Sequence, residues 1–185
     1  MALKSTIFKA ELQITDMDRN YYQDHQLTMA RHPSENDERM MVRLLAFALN
    51  ASESLQFTRG LSSDDEPELW QKSLSGEIEV WIDLGQPDEK RIRKACGRSG
   101  QVVIYTYQQR SSAVWWAQQR NKLERFANLG VVHLPDDVVT QLGQMAQRAM
   151  RLQCTIGDGQ LWFSNGEQAI EIAPEIWKRT IRVTS

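Results

Sequence analysis

The sequence is short of the residues that mark several common kinds of active site. It has only two cysteines, Cys96 and Cys154, and three isolated histidines, His25, His32 and His133. None of these five residues stands at the spacing of zinc ligands or suggests a disulfide framework. The sequence also has no glycine-rich phosphate loop and no nucleophile elbow. We therefore expect no zinc site, no P-loop and no serine-type triad.

Long apolar runs and an excess of one charge are also missing. The longest apolar-dominated stretch is VRLLAFAL, residues 42–49, far below the roughly 18 residues that span a bilayer. The N-terminal stretch MALKSTIFKAELQ has no apolar core of a signal peptide. Lysine and arginine number 22 against 24 aspartate and glutamate, so contact with a polyanion would need a local basic patch. We predict a cytoplasmic protein without a membrane span.

The remaining composition is that of a single globular domain. The chain has 185 residues, of which 41% are hydrophobic and 25% charged. That length is enough to bury one core without disulfide or metal support. We therefore predict one domain over residues 1–185.

Two strands and a helix are predicted in the N-terminal part. Apolar and polar residues alternate over Lys4–Ile14, and a polar turn separates this run from a return strand over Tyr21–Ala30, which predicts a β-hairpin. Ser34–Asp37 has the form of a capping box and predicts a helix that ends at about Asn50. Helical spacing puts Glu38 on the apolar face, so we expect its carboxylate to point toward the core.

A strand with two different faces is predicted in the middle of the chain. After the polar, turn-rich stretch Gly60–Pro67, the run Ile78–Leu84 puts aliphatic residues on one face and Glu79, Trp81 and Asp83 on the other. Asp83 lies near the carboxyl end of the strand, where α/β sheets commonly bind their ligands.

A basic helix and an inner strand are predicted next. Pro87 would take the first helical position, and Gly97 would end the helix. The following run, Gln101–Tyr107, is β-branched and aromatic, which is typical of an inner strand. Five basic residues fill the polar arc of the helix, which is by default a solvated face: Lys90, Arg91, Arg93, Lys94 and Arg98.

The C-terminal part predicts two more helices and a β-meander. Helices over Ser111–Phe126 and from Pro135 to about Gly143 flank a strand over Leu129–Leu134. Tight-turn sequences then separate three short strands that end at Ile172. This order predicts an α/β or α+β fold with one strand–helix–strand unit and antiparallel hairpins at both ends.

Several carboxylates predict a metal site near the end of the central strand. Glu79 and Asp83 share a face, and Glu68 and Glu38 would bring further oxygen ligands of the kind that Mg²⁺ or Mn²⁺ prefers. Each acid also has a plainer interpretation. Glu38 would stabilise a helix start, Glu77 and Glu79 would lie on a wet sheet face, and Asp83 would end a strand before a turn.

The stretch EPELWQKSLSGEIEVWIDLGQPDEKRIRKACGRSGQVVIYTY, residues 66–107, carries a family resemblance. Together with HPSENDERMMVRLLAFAL before it and VVHLP after it, it resembles the YaeQ family of uncharacterised bacterial proteins over essentially the whole chain. That family is similar in fold to the PD-(D/E)xK nuclease superfamily. The resemblance implies a mixed central sheet flanked by helices, with a helix–strand–strand–strand–helix–strand core. The N-terminal β-hairpin and the C-terminal β-meander predicted above would be added to this core.

The resemblance also implies a metal-dependent site. In typical superfamily members one acid precedes a strand that carries a second acid, any residue, and then lysine, and these groups hold a metal and activate a water. Here the resemblance gives the second acid as Asp83 and the first as Glu68, with Glu66 or Glu79 as alternatives. Glu38 would match a helix glutamate that some of these families place near the metal.

The lysine is where this sequence departs from the pattern. The position two residues after Asp83 is Gly85, so Lys90 or Lys94 on the next helix would have to reach back in its place. Substrate contacts are expected from three further side chains: Trp81, Tyr107 and Gln108.

Three functions remain open from the sequence. The first is an Mg²⁺-dependent, nuclease-like phosphodiesterase acting on nucleic acid. The second is a nuclease-fold binding or regulatory protein that has lost the chemistry, which Gly85 and the near-neutral charge favour. The third is a protein-interaction module that uses the C-terminal meander.

Overall fold

The computed structural model describes residues 4–59 and 65–181, so residues 60–64 of the predicted turn-rich stretch lie outside the described residues. The chain forms two compact units. The first is built from the residues up to 48 and from 137–174, and the second from 49–136 and from 175 onward. The expectation of one domain over 1–185 stays a prediction.

The described residues form strands and helices in mixed order, which confirms a mixed α+β fold. Eleven strands and four helices are present: β1 (Thr6–Asp16), β2 (Tyr21–Arg31), α1 (Asp37–Asn50), β3 (Leu55–Phe57), β4 (Leu69–Lys72), β5 (Ile78–Leu84), α2 (Glu89–Arg98), β6 (Ser99–Thr106), α3 (Gln109–Leu123), β7 (Leu129–His133), α4 (Asp136–Gln144), β8 (Ala149–Gly157), β9 (Gln160–Ser164), β10 (Ala169–Ile172) and β11 (Glu175–Lys178).

The first unit contains a five-stranded sheet in the order β10-β9-β8-β1-β2. The predicted hairpin is confirmed, since β1 and β2 pair antiparallel from Thr6 opposite Arg31 to Asp16 opposite Tyr21. The predicted meander is also confirmed, but β8 pairs in parallel with β1. The hairpin and the meander therefore form one sheet, which the prediction of a single central sheet missed.

The N-cap residue of helix α1 lies two residues later than predicted. The side-chain oxygen of Asn36 accepts a hydrogen bond from the backbone N–H of Arg39 at 2.8 Å, as an N-cap residue does. The hydroxyl of Ser34 lies instead 2.7 Å from Nδ1 of His32. The prediction that Ser34 caps the helix is therefore wrong.

A buried ion-pair cluster ties the start of α1 to the end of β2. The Glu35 carboxylate, whose side chain is 1% exposed, accepts from Arg43 Nη2 at 2.5 Å and from Arg39 Nη1 at 2.6 Å. Arg43 Nη2 also donates to the carbonyl oxygen of Ala30 at 3.0 Å. Every charge in the cluster has an opposite charge beside it, which burial requires.

The second unit contains a six-stranded sheet in the order β11-β7-β6-β5-β4-β3. Strands β5, β6 and β7 are parallel, and the others pair antiparallel. Trp81 of β5 packs in a hydrophobic core with Ile92 of α2 and with Trp115 and Leu123 of α3. The edge strand β11 was not predicted, because the four-residue EIWK segment has too little alternation to show a period.

The helix after β5 differs in both of its ends from the prediction. Asp88 is the N-cap residue and accepts from the backbone N–H of Arg91 at 2.8 Å, so Pro87 lies outside the helix. Gly97 lies inside α2 and does not adopt the left-handed conformation of a glycine stop. Within residues 4–59 and 65–181, no helix combines the length and the apolar character that a membrane span requires.

Candidate active site

Asp83 lies near the carboxyl end of β5 and is held by an arginine of the next helix. Its side chain is almost fully buried, and its two oxygens accept from Arg91, Oδ2 from Nε at 2.8 Å and Oδ1 from Nη2 at 3.0 Å. The link from β5 to α2 is short, so the first turn of α2 lies over the end of the strand. The result is a bidentate carboxylate–guanidinium pair, the strongest geometry such a pair can adopt.

Arg91 makes two further contacts that fix its position. Its Nη2 donates to the carbonyl oxygen of Glu66 at 2.9 Å, and its guanidinium carbon lies 5.7 Å from the ring centre of Trp81. The interpretation of Arg91 as part of a solvated basic arc is therefore wrong. Its guanidinium group instead turns inward, where the Asp83 carboxylate compensates its charge.

Glu68 is the candidate first acid whose backbone lies beside the end of β5. Its backbone N–H donates to the carbonyl oxygen of Ile82 at 2.9 Å, and its side chain is buried. Glu66 is half-buried, and Glu79 is exposed on the same strand as Asp83. A separation of four residues along a strand is roughly 13 Å, too far for Glu79 and Asp83 to share a metal ion.

The two lysines predicted to replace the missing one have other surroundings. Lys94 Nζ lies 2.7 Å from Oδ1 of Asp65, and Lys90 is exposed on the same helix. A reach by either lysine toward Asp83 stays a prediction. Arg91 is the cation that contacts Asp83 in this structure.

Gly85 explains why no lysine stands two residues after Asp83. Its φ is +87°, and its backbone N–H donates to the carbonyl oxygen of Tyr105 at 2.9 Å. This left-handed conformation suits glycine and strains residues with a Cβ atom. A lysine at this position would therefore strain the turn that follows β5.

Replacing Gly85 by alanine is expected to lower the free energy of unfolding by roughly 1–2 kcal/mol, the cost of a left-handed residue with a Cβ atom. A Cβ at Gly85 would have no atom within 4 Å, so the loss measures backbone strain alone. Urea unfolding followed by circular dichroism measures it. Gly85→Asn is the matched control and should lose less, because asparagine tolerates this region. Equal stability of wild type and Gly85→Ala would contradict this explanation.

The three predicted substrate contacts differ in their exposure. Trp81 is 1% exposed and lies in the hydrophobic core, so its ring offers no surface to a substrate in this structure. Tyr107 is half-buried, and its carbonyl oxygen accepts from the Ser112 hydroxyl at 2.5 Å. Gln108 is exposed, with φ 67° and ψ 85°, at the start of α3. Gln108 is therefore the most accessible of the three, at the same sheet edge as Asp83.

A buried polar network at the ends of β6 and β7 was not predicted. His133 is fully buried, and each of its ring nitrogens has a hydrogen-bond partner. Nδ1 lies 2.7 Å from Thr106 Oγ1, and Nε2 lies 2.7 Å from Gln109 Oε1. Trp177 stacks on the imidazole with ring centres 4.4 Å apart. Burial lowers the pKa of His133, so the ring is neutral at neutral pH. The network anchors the start of α3 beside the candidate site.

Glu38 belongs to the first unit. It is half-buried in the first turn of α1 and lies against Gly143 of α4, where an added Cβ would come within 2.7 Å of Glu38 Cγ. The expectation that its carboxylate points toward the core stays a prediction. Its part in a metal site stays a prediction.

Two acids of the second unit, Asp83 and Glu68, carry the carboxylate oxygens that magnesium prefers as ligands. In the part of the chain that the structure describes, no group of three or more His, Cys, Asp or Glu side chains is placed to hold a metal. Mg²⁺, however, commonly uses one or two carboxylates and completes its shell with waters and substrate phosphates. Asp83 and Glu68 supply two carboxylates. Arg91 takes one acceptor position on each oxygen of Asp83, and each oxygen has a second.

Known proteins similar to this chain share one description. The family model described as YaeQ protein matches residues 1–174. "Uncharacterized protein YaeQ" of Salmonella typhi is 49% identical over 179 residues, which cover 97% of this chain and 99% of the relative. The protein of the same name from Shigella flexneri is 48% identical with the same coverage.

Two crystal structures are similar to the whole chain. The YaeQ protein from Xanthomonas axonopodis pv. citri superposes with a TM-score of 0.92 at 47% identity, over 94% of this chain and 98% of its own. The YaeQ protein from Pseudomonas syringae superposes with a TM-score of 0.90 at 35% identity, over 95% of this chain and 97% of its own. The two-sheet α+β architecture is therefore shared with these proteins.

Proposed function

Since the chain belongs to the YaeQ protein family, we propose that it is a magnesium-dependent phosphodiesterase of the PD-(D/E)xK nuclease type that acts on nucleic acid. One observation carries the proposal. Two buried carboxylates, Asp83 and Glu68, lie on neighbouring segments at the carboxyl end of a parallel strand, and the Arg91 guanidinium is bound to one of them. Ligands commonly bind at this edge of an α/β sheet.

The residues divide the work of phosphodiester hydrolysis between them. Asp83 and Glu68 would hold Mg²⁺, which when bound lowers the pKa of a coordinated water. Arg91 fixes the Asp83 carboxylate and offers positive charge to the phosphoryl group as negative charge grows there. A guanidinium stays protonated, so Arg91 cannot act as the base. Tyr107 and Gln108 would position the substrate strand at the same edge.

The proposal places this reaction in the cytoplasm. Both cysteines are free, Cys96 half-buried and Cys154 buried, which fits a reducing compartment. Burial raises the pKa of Cys96 to about 11 and that of Cys154 to about 12. Neither thiol is therefore a nucleophile at neutral pH, and the proposed chemistry does not use one.

Asp83→Asn is expected to lower metal-dependent cleavage at least about 100-fold. Replacing a residue that only supports a metal ligand can already lower activity about 100-fold, and Asp83 is proposed as a ligand itself. Asparagine keeps the size of the side chain but removes the charge that a metal needs. The assay uses the full chain with Mg²⁺ or Mn²⁺ against end-labelled single-stranded, duplex and branched oligonucleotides.

The matched control is Glu77→Gln, which makes the same change at an exposed acid of the segment before β5. It should cleave like wild type. Cleavage that survives unchanged in Asp83→Asn would remove the assignment, since any activity would then come from another site or a contaminant.

A second candidate is a nuclease-fold protein that binds nucleic acid or regulates without cleaving. Both oxygens of Asp83 are engaged by Arg91, and the conformation of Gly85 excludes the usual lysine. If Arg91 balances the charge of Asp83 permanently, the protein needs no metal ion at this position to fold or to bind nucleic acid. Wild type that binds oligonucleotides in EDTA but never cleaves them with Mg²⁺ or Mn²⁺ would support this candidate over the first.

A further inference from the structure

The segment before β4 lies along one basic face of α2. Asp65 Oδ1 is 2.7 Å from Lys94 Nζ, and the Asp65 carbonyl oxygen accepts from Arg98 Nη1 at 3.3 Å. The Glu66 carbonyl oxygen accepts from Arg91 Nη2 at 2.9 Å. Three oxygens of this acidic segment thus accept from three basic side chains of the helix.

The three basic residues form a continuous stripe that leads to the candidate active site. Arg91, Lys94 and Arg98 are spaced by three and four residues, so they lie on one face of the helix. They span roughly 10 Å along its axis. At one end of the stripe Arg91 also holds Asp83. We call these three residues the basic stripe of α2.

The carboxylate on the basic stripe is held loosely. The side chains of Lys94 and Asp65 are 53% and 74% exposed, and exposed ion pairs contribute little to stability and exchange readily. The hydrogen bond from Lys94 lowers the pKa of Asp65, so the carboxylate is charged at neutral pH. An anionic oxygen from a ligand could accept from the same exposed donor, Lys94.

The charge of the basic stripe favours an anionic ligand. The net charge of the chain is −2, so a polyanion would need a local patch, and the basic stripe is such a patch. Arginine and lysine donors in a row suit phosphate oxygens, which accept charge-assisted hydrogen bonds. A ligand with several phosphates would meet the whole stripe, whereas a single phosphate would meet one part of it.

We propose that the basic stripe of α2 binds the phosphodiester backbone of a nucleic-acid strand, and that the Asp65 carboxylate occupies a phosphate position until the strand displaces it. The inference rests on the proposed function, because the stripe would lead a strand to Asp83. Asp65 thereby competes with the substrate and weakens its binding.

The test is the binding of a fluorescein-labelled twelve-nucleotide oligothymidylate, followed by fluorescence anisotropy in EDTA. Asp65→Asn is expected to bind about 2- to 5-fold more tightly than wild type, which corresponds to the loss of one exposed competing charge. Lys94→Glu is expected to bind at least about 5-fold more weakly. The salt slope of wild type should be about −1.4, since Lys94 and Arg98 each contribute about −0.7 on a single strand, whereas the charge of Arg91 is already balanced by Asp83.

Two exposed positions outside α2 and the acidic segment provide matched controls. Glu53→Gln repeats the loss of a negative charge, and Lys122→Glu repeats the charge reversal on α3. Both should bind within about 1.5-fold of wild type, because water and salt screen exposed charges that do not contact the strand. The inference is overturned if wild type does not bind, if Asp65→Asn matches Glu53→Gln, or if Lys94→Glu matches Lys122→Glu.

The failure of this inference is distinguishable from failure of the proposed function. Binding is measured in EDTA, where no metal-dependent cleavage occurs, so an inactive protein can still show the expected responses at Asp65 and Lys94. Conversely, metal-dependent cleavage that is lost in Asp83→Asn but unchanged in Lys94→Glu would support the active site and remove the basic stripe as its substrate path.

Discussion

Glu35→Ala is expected to lower the free energy of unfolding by about 3–5 kcal/mol, the range for breaking a buried ion pair by removing one partner. The Glu35 carboxylate holds the guanidinium groups of Arg39 and Arg43 at the start of α1. Arg43 is 5% exposed, so its charge would stay buried without compensation. Urea unfolding followed by far-ultraviolet circular dichroism measures the loss.

An exposed glutamate in the second unit provides the control for this prediction. Glu53→Ala removes the same side chain from a solvated position and should change stability by less than about 0.5 kcal/mol. The double variant Glu35→Ala with Arg43→Met should recover part of the loss, because it removes the unpaired charge. If Glu35→Ala were as stable as Glu53→Ala, the cluster would have no structural role.

Trp81→Ala is expected to lower the free energy of unfolding by about 3–5 kcal/mol, the cost of a large cavity in a core. The indole is 1% exposed and packs with side chains of α2, α3 and β6. The guanidinium groups of Arg91 and Arg98 lie over the ring at 5.7 and 5.5 Å from its centre. Loss of the ring would therefore also loosen the two ends of the basic stripe.

Trp81→Phe separates a core role from a substrate contact. The indole Nε1 is buried without a hydrogen-bond partner among the described residues, so phenylalanine removes a polar group whose burial costs about 1–3 kcal/mol. We expect Trp81→Phe to retain most of the stability and to bind oligonucleotide like wild type. Normal stability of Trp81→Ala combined with lost oligonucleotide binding would restore the prediction of a substrate contact at this residue.

Local patterns predicted most strands, but not how the strands combine into sheets. Alternation identified β1, because its residues are alternately buried and exposed. The sequence of β5 also alternates, but Trp81, Ile82 and Asp83 are all buried, so both faces are covered at this end of the strand. The parallel pairing of β1 with β8 joins residues about 140 positions apart in the chain. No local pattern encodes such a pairing, so the two-sheet arrangement emerged only in the structure.

The candidate site shows the same limit. Asp83 was identifiable, because it follows Ile82 at the end of a strand with a clear face. Arg91 was not identifiable, since periodicity gives the apolar side of α2 but does not show which side chain next to that face turns inward. The sequence feature that could have indicated Arg91 is its place in the first turn of a helix that follows the strand closely. The sequence alone shows Gly85 only as the absence of a lysine. Its left-handed backbone gives the physical reason why glycine stands there.

The central claim is that Asp83 and Glu68 together hold a divalent metal. Crystals of the protein grown with Mn²⁺ and an oligonucleotide, measured at the manganese absorption edge, test it most directly. The account predicts one anomalous peak within about 2.3 Å of a carboxylate oxygen of Asp83 and of Glu68, close to the usual metal–oxygen distances. A peak elsewhere, or none while Arg91 still binds both oxygens of Asp83, would contradict it.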